Sequence, residues 1–196
     1  MDDPTWDAVV VAGGAGLRMG GTDKPALNVA AGTLLDIALT ACAGARNRVV
    51  VGPRRPTREP VRWTREDPPG SGPLAGLGAG LSSLPEGSDV VVVLAADLPF
   101  VDPDVIKRLR AAIAAQGDVD GAVVVDADGR AQPLLAAYRR RSLEWAVASM
   151  GVLRDRPVRE ILNLLAVTTV LDPVAARDID TREDLHRWFD ERARRP

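Results

Sequence analysis

The sequence has very few of the residues on which disulfide-linked or metal-bound small domains depend. Its 196 residues include one cysteine, Cys42, and one histidine, His186. These two residues can form neither an internal disulfide nor a zinc site, so a disulfide scaffold and a structural zinc domain are excluded. The longest uninterrupted apolar run, 90–96, is far shorter than the roughly 18 residues of a membrane span, and the start of the chain is acidic. We therefore expect no membrane insertion or secretion, and a cytoplasmic protein.

Aromatic residues and lysines are also scarce. Aromatic residues make up 4% of the chain, and Lys24 and Lys107 are the only lysines among 25 lysine and arginine residues. The formal net charge of -2 does not favour a broad basic face, and few rings are available to stack on bases. We therefore expect no nucleic-acid partner and a core built from alanine, valine, leucine and isoleucine.

Short β-branched runs alternate along the chain with longer segments rich in alanine and leucine. This alternation is typical of a largely parallel sheet covered by helices on both faces. Predicted strands are 8–12, 48–51, 61–64, 89–94, 122–125, 134–138 and 167–171. Predicted helices are 33–43 with Thr33 as N-cap, a segment from Pro73, 103–115 and 182–193, with amphipathic stretches at 143–150 and 158–164. Without repeats or a long linker, residues 1–196 are predicted to form a single-domain, three-layer αβα fold of the α/β class, with a Rossmann-like, mixed, mostly parallel sheet.

Three glycines interrupt the predicted helix that begins at Pro73. They are Gly76, Gly78 and Gly80. Because each glycine costs a helix up to about 1 kcal/mol relative to alanine, we interpret them as positions that let another backbone approach closely.

A glycine-rich loop follows the first predicted strand, where open α/β sheets bind ligands. Its glycines at 13, 14, 16, 20 and 21 leave backbone amides free to approach phosphate oxygens. The dinucleotide pattern G-x-G-x-x-G fails because Met19 stands where glycine is required, and the P-loop pattern fails because Thr22 replaces lysine. The loop therefore indicates phosphate binding, but neither a Rossmann dehydrogenase nor a P-loop ATPase.

Charged residues stand close to this loop and at the end of a later strand. Arg18 and Lys24 are spaced so that both cations reach one phosphate group, unless they are incidental charges on an exposed loop. Asp97 follows the strand 89–94 within the segment AADLPF. A carboxylate there either holds Mg²⁺ opposite a phosphate loop or only orders the proline turn.

The segment VVVAGGAGLRMGGTDKPAL resembles the signature of the nucleotidyltransferases that activate sugar phosphates, most closely the MobA-like molybdenum cofactor guanylyltransferases. That branch reads Leu-Ala-Gly-Gly, three variable residues, Arg-Met-Gly and then lysine, and this chain departs from it only at Val11. The resemblance covers roughly residues 7–140 and 178–188. It implies the nucleotide-diphospho-sugar transferase fold and a Mg²⁺-dependent transfer of GMP from GTP to the terminal phosphate of molybdopterin.

The resemblance also implies roles for individual residues. Arg18, Lys24 and Asp97 become the catalytic residues, with Asp97 as the metal ligand. Asp67 matches an aspartate that contacts GTP, through either the guanine or the ribose. Gly52 aligns with a nucleotide-contacting asparagine, so its contact is backbone-only or absent. The implied nucleotide-binding residues are Val11, Ala12, Gly13, Gly14, Gly16, Lys24, Asp67, Gly72, Pro73, Leu74 and Asp97.

Two later segments match the family more loosely. GRAQPLLAAYR resembles the segment that precedes the acceptor-binding region, so Gln132, Pro133 and Arg139 are candidates to lie near the acceptor. In DIDTREDL, Asp178 and Asp180 replace two asparagines of the family. They either supply a second carboxylate to the metal, or Asp180 caps the last helix.

The remaining unusual residues have simpler interpretations. Cys42 is predicted to be a small core residue, and His186 a surface residue. The arginine runs 54–55 and 139–141 are predicted to be solvated, unless the second run meets the acceptor phosphate.

Two alternatives remain open. One is the same chemistry with CTP or a sugar phosphate, and the other is a non-catalytic nucleotide-binding protein that delivers the cofactor. We also expect transient contacts with other cofactor-biosynthesis proteins or molybdoenzymes.

Overall fold

A computed structural model describes residues 4–13, 22–29, 32–179, 181, 183–185 and 187–188. The strands are β1 (Trp6–Val11), β2 (Asn28–Val29), β3 (Gly32–Thr33), β4 (Arg48–Val51), β5 (Arg62–Thr64), β6 (Val90–Ala95), β7 (Gly121–Val125), β8 (Ala131–Arg139) and β9 (Val167–Leu171). The α-helices are α1 (Leu34–Ala41), α2 (Pro73–Ser82), α3 (Pro103–Ala115) and α4 (Arg140–Ser149). Short 3₁₀ helices cover Lys24–Ala26 and Val158–Asn163, and the described residues from 183 to 188 are helical.

The main sheet has seven strands in the order β5-β4-β1-β6-β8-β7-β9. Neighbouring strands from β5 to β6 are parallel, as are β7 and β9, whereas β8 is antiparallel to both of its neighbours. Strands β2 and β3 form a separate antiparallel pair. The prediction of a mixed, mostly parallel sheet is confirmed.

Helices cover both faces of this sheet. In β1 every residue is buried, and successive side chains point to opposite faces. Val10 packs in the cluster that contains residues of α1 and α3, whereas Val9 packs in the cluster that contains residues of α2, α4 and the 3₁₀ helix 158–163. The three-layer αβα architecture is therefore confirmed. Within the described residues, none of these helices has the length and apolarity needed to cross a membrane.

The glycines of α2 allow that helix to lie very close to the sheet. A Cβ atom at Gly80 would lie 2.4 Å from a methyl group of Val9, and one at Gly78 would lie 2.6 Å from a methyl group of Leu153. Side chains at these two positions would overlap their neighbours, so close contacts are confirmed at Gly78 and Gly80. The prediction of another backbone there is wrong, because the close atoms belong to side chains, and Gly76 has only an ordinary contact at 3.5 Å.

Local signals at the start of α1 are also confirmed. The Thr33 hydroxyl accepts a hydrogen bond from the Asp36 amide at 3.0 Å, and the Asp36 carboxylate accepts one from the Thr33 amide at 2.9 Å. This reciprocal pair is a capping box, which satisfies backbone donors that the first helical turn leaves without partners.

The two arginines at the end of β8 lie away from the edge where parallel strands end, which corrects the predictions made for them. Arg139 is paired with Val90, the first residue of β6, because β8 runs antiparallel to β6. Its guanidinium donates to the carbonyls of Val119 at 2.7 Å and Gln116 at 3.1 Å. Arg140 is buried and forms an ion pair with buried Asp7 at 3.4 Å. Both arginines therefore stabilise the edge of the sheet opposite the one where the parallel strands end, and Arg140 is not solvated as predicted.

Candidate active site

Four parallel strands end side by side, and the predicted site residues follow these ends. Backbone pairing continues just past the strands: the amide of Ala12 donates to Val51, that of Ala96 to Val11 and that of Gly52 to Thr64, at 2.8, 3.0 and 2.9 Å. This places the start of the glycine loop, the turn after β4, the segment after β5 and the segment that carries Asp97 at one edge of the sheet. Ligands of open α/β sheets bind at this edge.

The described part of the glycine loop includes both of its ends. Val11 ends β1, Ala12 is buried and Gly13 is exposed. The chain is described again from Thr22, and half-buried Lys24 opens the 3₁₀ helix 24–26. Gly14, Gly16 and Arg18 lie outside the described residues, so their roles stay predictions.

Gly52 makes a close contact with the start of the glycine loop. Its φ of +140° falls in a region that favours glycine, and a Cβ atom there would lie 2.8 Å from the carbonyl oxygen of Ala12. This position therefore has no room for the family's asparagine side chain. Because the Gly52 amide already donates to Thr64, it has no hydrogen left for a nucleotide.

The segment after β5 leads into α2 and holds the residues predicted to meet the base. Asp67 and Pro73 are exposed. Gly72 is half-buried, has a φ of +92° and precedes the first turn of α2. Leu74 is fully buried in the core between the sheet and α2. The prediction that Leu74 lines the base is thus wrong for its side chain, because an apolar residue in the first turn of α2 packs on the sheet.

Glu66 is a residue that the sequence argument missed. Its carboxylate accepts a hydrogen bond from the Gly70 amide at 2.9 Å and lies 3.9 Å from where a Cβ atom of Gly13 would be. The side chain thus lies between the glycine loop and the segment that leads into α2. The sequence holds no signal that distinguishes Glu66 from its neighbour Asp67, because both lie beyond the end of β5 at Thr64 and before the turn that leads into α2.

Asp97 follows β6 by two residues and is half-buried. Its carbonyl oxygen accepts a hydrogen bond from the Ile179 amide at 3.1 Å, which places the backbone next to Asp178 beside it. Asp180 lies outside the described residues. The capping role considered for it is filled by Thr181, whose hydroxyl accepts from the Asp184 amide at 3.1 Å.

A small cavity lies between the segment that follows Asp97 and the C-terminal segment. Its volume is about 180 Å³, and the guanidinium carbon of Arg177 lies 4.8 Å from the ring centroid of Phe100 in its wall. The lining residues are Pro99, Phe100, Arg177, Asp178, Ile179, Asp184, Arg187 and Trp188. This wall contains both arginines and carboxylates, so it presents polar and charged groups beside Asp97.

The donor set around Asp97 fits a magnesium ion that is shared with phosphates. Across the described residues, no group of three carboxylate, cysteine or histidine side chains is placed to hold a metal. Mg²⁺ at phosphate-transfer sites commonly takes only one or two carboxylates, and substrate phosphates and water supply its other ligands. Asp97 would supply one carboxylate to such an ion. Asp178 precedes Ile179, whose amide is bonded to the Asp97 carbonyl, so it is the candidate for a second one.

Comparison with known proteins identifies the family of this chain. The sequence profile of the MobA-like NTP transferase domain matches residues 8–176. The molybdenum cofactor guanylyltransferase of Bradyrhizobium sp. (strain ORS 278) is 33% identical over 192 residues, which cover 90% of this chain and 88% of that protein. The enzyme of the same name from Cupriavidus metallidurans is 31% identical, with 94% of each chain covered. This chain belongs to the MobA-like NTP transferase family. It is therefore a nucleotidyltransferase.

Solved structures show the same fold. Molybdopterin-guanine dinucleotide biosynthesis protein A from Archaeoglobus fulgidus superposes with a TM-score of 0.71 at 20% identity, covering 96% of this chain and all of that one. The 2-C-methyl-D-erythritol 4-phosphate cytidylyltransferase of Thermus thermophilus superposes with a TM-score of 0.71 at 19% identity, covering 95% of this chain and 98% of that one. The nucleotide-diphospho-sugar transferase fold is thus confirmed for this MobA-like chain.

Three further predictions concern residues outside the reacting groups. Cys42 is fully buried, and loss of solvation raises the pKa of its thiol to about 12 although Arg48 lowers it, so the prediction of a core cysteine is confirmed. Arg54 is exposed as predicted, but the prediction for Arg55 is wrong, because its side chain is only 8% exposed. His186 lies outside the described residues.

Gly52→Ala tests the contact between the turn after β4 and the glycine loop. The new methyl group would displace the Ala12 carbonyl, and the positive φ would cost about 1–2 kcal/mol. We expect the affinity for a nucleoside triphosphate, measured by calorimetry, to fall about tenfold, which is about 1.4 kcal/mol.

Gly87→Ala is the matched control for this substitution. Gly87 also has a positive φ, +109°, but it lies before β6 at the opposite edge, and the nearest atom to its Cβ position, from Arg46, is 3.6 Å away. We expect this variant to lose stability and to keep its nucleotide affinity. Equal losses of affinity in both variants would contradict the assignment.

Proposed function

We propose that this chain transfers GMP from GTP to the terminal phosphate of molybdopterin, forming molybdopterin guanine dinucleotide and pyrophosphate. The observation that carries the proposal is the meeting of the glycine-loop entrance and the Asp97 segment at one sheet edge, in a member of the MobA-like family. We also infer that residues 1–196 act as one domain in the cytoplasm, with transient contacts to proteins that use or make the cofactor.

The proposed reaction is an in-line displacement at the α-phosphorus of GTP. An oxygen of the acceptor phosphate forms a bond to that phosphorus. The bond from phosphorus to the oxygen that bridges the α- and β-phosphates breaks, and pyrophosphate leaves with the bonding electron pair. Because no covalent enzyme intermediate is needed, the protein contributes positioning and charge stabilisation.

Each proposed site residue has a part in this reaction. Backbone amides from Gly13 to Gly16 hold the triphosphate, because the Ala12 amide is already bonded to Val51, and Arg18 and Lys24 stabilise the negative charge that develops on it. Asp97 holds Mg²⁺, which when bound neutralises charge on the phosphate oxygens. Asp178 is the described candidate for a second carboxylate.

The acceptor is proposed to enter from the side of the cavity beside Asp97. Arg177 in its wall supplies a cation for a phosphate, and Phe100 supplies an aromatic face for a pterin ring. Gln132, whose side-chain amide donates to Asp126 at 3.3 Å, remains a candidate for the same side, because it lies near the carboxyl end of β7.

Product analysis tests the proposed function directly. The purified protein is incubated with molybdopterin, Mg²⁺ and an equimolar mixture of GTP, CTP, ATP and UTP, and the products are identified by mass spectrometry. We expect the guanine dinucleotide and pyrophosphate. A cytosine dinucleotide would instead support the CTP alternative, and GTP binding without any dinucleotide would support a delivery protein.

Asp97→Ala tests the metal ligand. We expect turnover to fall about 100-fold or more, since a group that stabilises transition-state charge is lost, while the circular dichroism spectrum stays unchanged. Asp89→Ala is the matched control, because Asp89 is exposed just before the opposite end of the same strand. Full Mg²⁺-dependent turnover in the Asp97 variant would place the metal elsewhere.

A pair of conservative variants tests which carboxylate recognises guanine. A carboxylate accepts hydrogen bonds from N1 and from the 2-amino group of guanine, and the position of Glu66 beside Gly13 favours it over exposed Asp67. We expect Glu66→Gln to raise the KM for GTP about tenfold, since hydrogen bonds to charged groups contribute about 1.5–3 kcal/mol. The KM for ITP, which lacks the 2-amino group, should rise less. Asp67→Asn should leave both KM values unchanged. If Asp67→Asn raises the KM for GTP and Glu66→Gln does not, the base contact belongs to Asp67.

A further inference from the structure

Arg55 forms a fully engaged ion pair next to the glycine loop. Its Nε donates to one carboxylate oxygen of Asp23 at 2.9 Å, and a terminal nitrogen donates to the other at 2.6 Å. The other terminal nitrogen donates to the Pro53 carbonyl at 2.9 Å. The Arg55 side chain is 8% exposed, whereas Asp23 is 51% exposed. Such a two-pronged pair fixes geometry as well as charge, unlike a single exposed ion pair.

The turn of residues 52–55 therefore contacts both ends of the glycine loop. At its start, Gly52 lies against Ala12 and Gly13, where the chain enters the loop. At its end, Arg55 binds Asp23, where the chain leaves the loop. This short turn thus contacts the described residues on both sides of the loop.

The Asp23 carboxylate does not cap the short helix that follows it. Asp23 stands at the N-cap position of the 3₁₀ helix 24–26, yet its side chain makes no capping hydrogen bond there. It binds Arg55 instead. The residue that follows is Lys24, and the next, Pro25, is buried. The backbone of Lys24 is therefore held on one side by the ion pair and on the other by a buried ring.

We infer that Arg55 is a positioning residue for nucleotidyl transfer, which acts through Asp23 to place Lys24 against the triphosphate. The inference rests on the proposed function of Lys24. Arg55 itself does not touch the reacting atoms. Loss of the pair would let the Lys24 ammonium move away from its position, and displacements of about 1 Å in a catalytic group can lower rates about 100-fold.

A double-mutant cycle tests this coupling. The kcat and KM for GTP are measured in the full chain, in Arg55→Ala, in Lys24→Ala and in the double variant. We expect Arg55→Ala alone to lower kcat/KM about 10- to 100-fold and to change it less than about threefold when Lys24 is already alanine, because residues that act through one another are not additive. Equal factors in both backgrounds would overturn the inference, since a general structural defect lowers both alike.

Two further variants keep the test decisive. Arg54→Ala alters the exposed neighbour in the same turn and should leave kcat/KM unchanged. If Arg55→Ala does not fold, Arg55→Lys keeps the charge and loses the two-pronged geometry, and we expect it to reproduce the loss. Full activity in the folded lysine variant would overturn the inference.

Dinucleotide formation by the unsubstituted chain distinguishes failure of the proposed function from failure of this inference. If it forms no dinucleotide, the same four proteins are compared by GTP affinity in Mg²⁺. Non-additive losses of affinity would then support the coupling of Arg55 to Lys24 without the proposed reaction, and additive losses would overturn it.

Discussion

The parallel pairing of β1 with β4 and β6 is the constraint on which the rest of the structure depends. These strands are buried on both faces, so water cannot satisfy their amides and carbonyls, and the neighbouring strands must do so. Parallel pairing brings the carboxyl ends of these strands to one edge. The backbone hydrogen bonds of Ala12, Gly52 and Ala96 continue this pairing beyond the strand ends. The loops that follow have to share that edge. The site is thus a consequence of how a buried parallel sheet satisfies its backbone.

Close approach of backbone segments is the second recurring feature. Gly80 lets α2 lie against β1, and Gly52 lets the turn after β4 lie against the glycine loop. Both contacts require the absence of a Cβ atom. They also explain why the chain needs few aromatic residues around the nucleotide, because the proposed ligand contacts come from backbone amides, charged groups and small residues.

The arginine-rich composition has a structural explanation in part. Arg139 donates to carbonyls beyond the end of α3, Arg140 pairs with buried Asp7, and Arg55 holds Asp23 and the Pro53 carbonyl. Each of these guanidinium groups satisfies several acceptors at once in a fixed planar geometry, which a lysine ammonium does not offer. Lys24, which we propose to meet the triphosphate, instead carries a compact charge on a flexible chain.

What the sequence determined by itself is local: the buried strands, the Thr33 cap and the close-contact glycines of α2. Each depends on residues a few positions apart, so periodicity and spacing reveal it. Tertiary structure alone decided that β8 reverses direction and carries Arg139 to the far edge, that Leu74 turns into the core, and that the Glu66 carboxylate lies beside Gly13. Tertiary structure also decided that the Arg55 side chain is largely shielded from solvent. These outcomes depend on which strand lies alongside and in which direction, because pairing between distant segments sets where a side chain points.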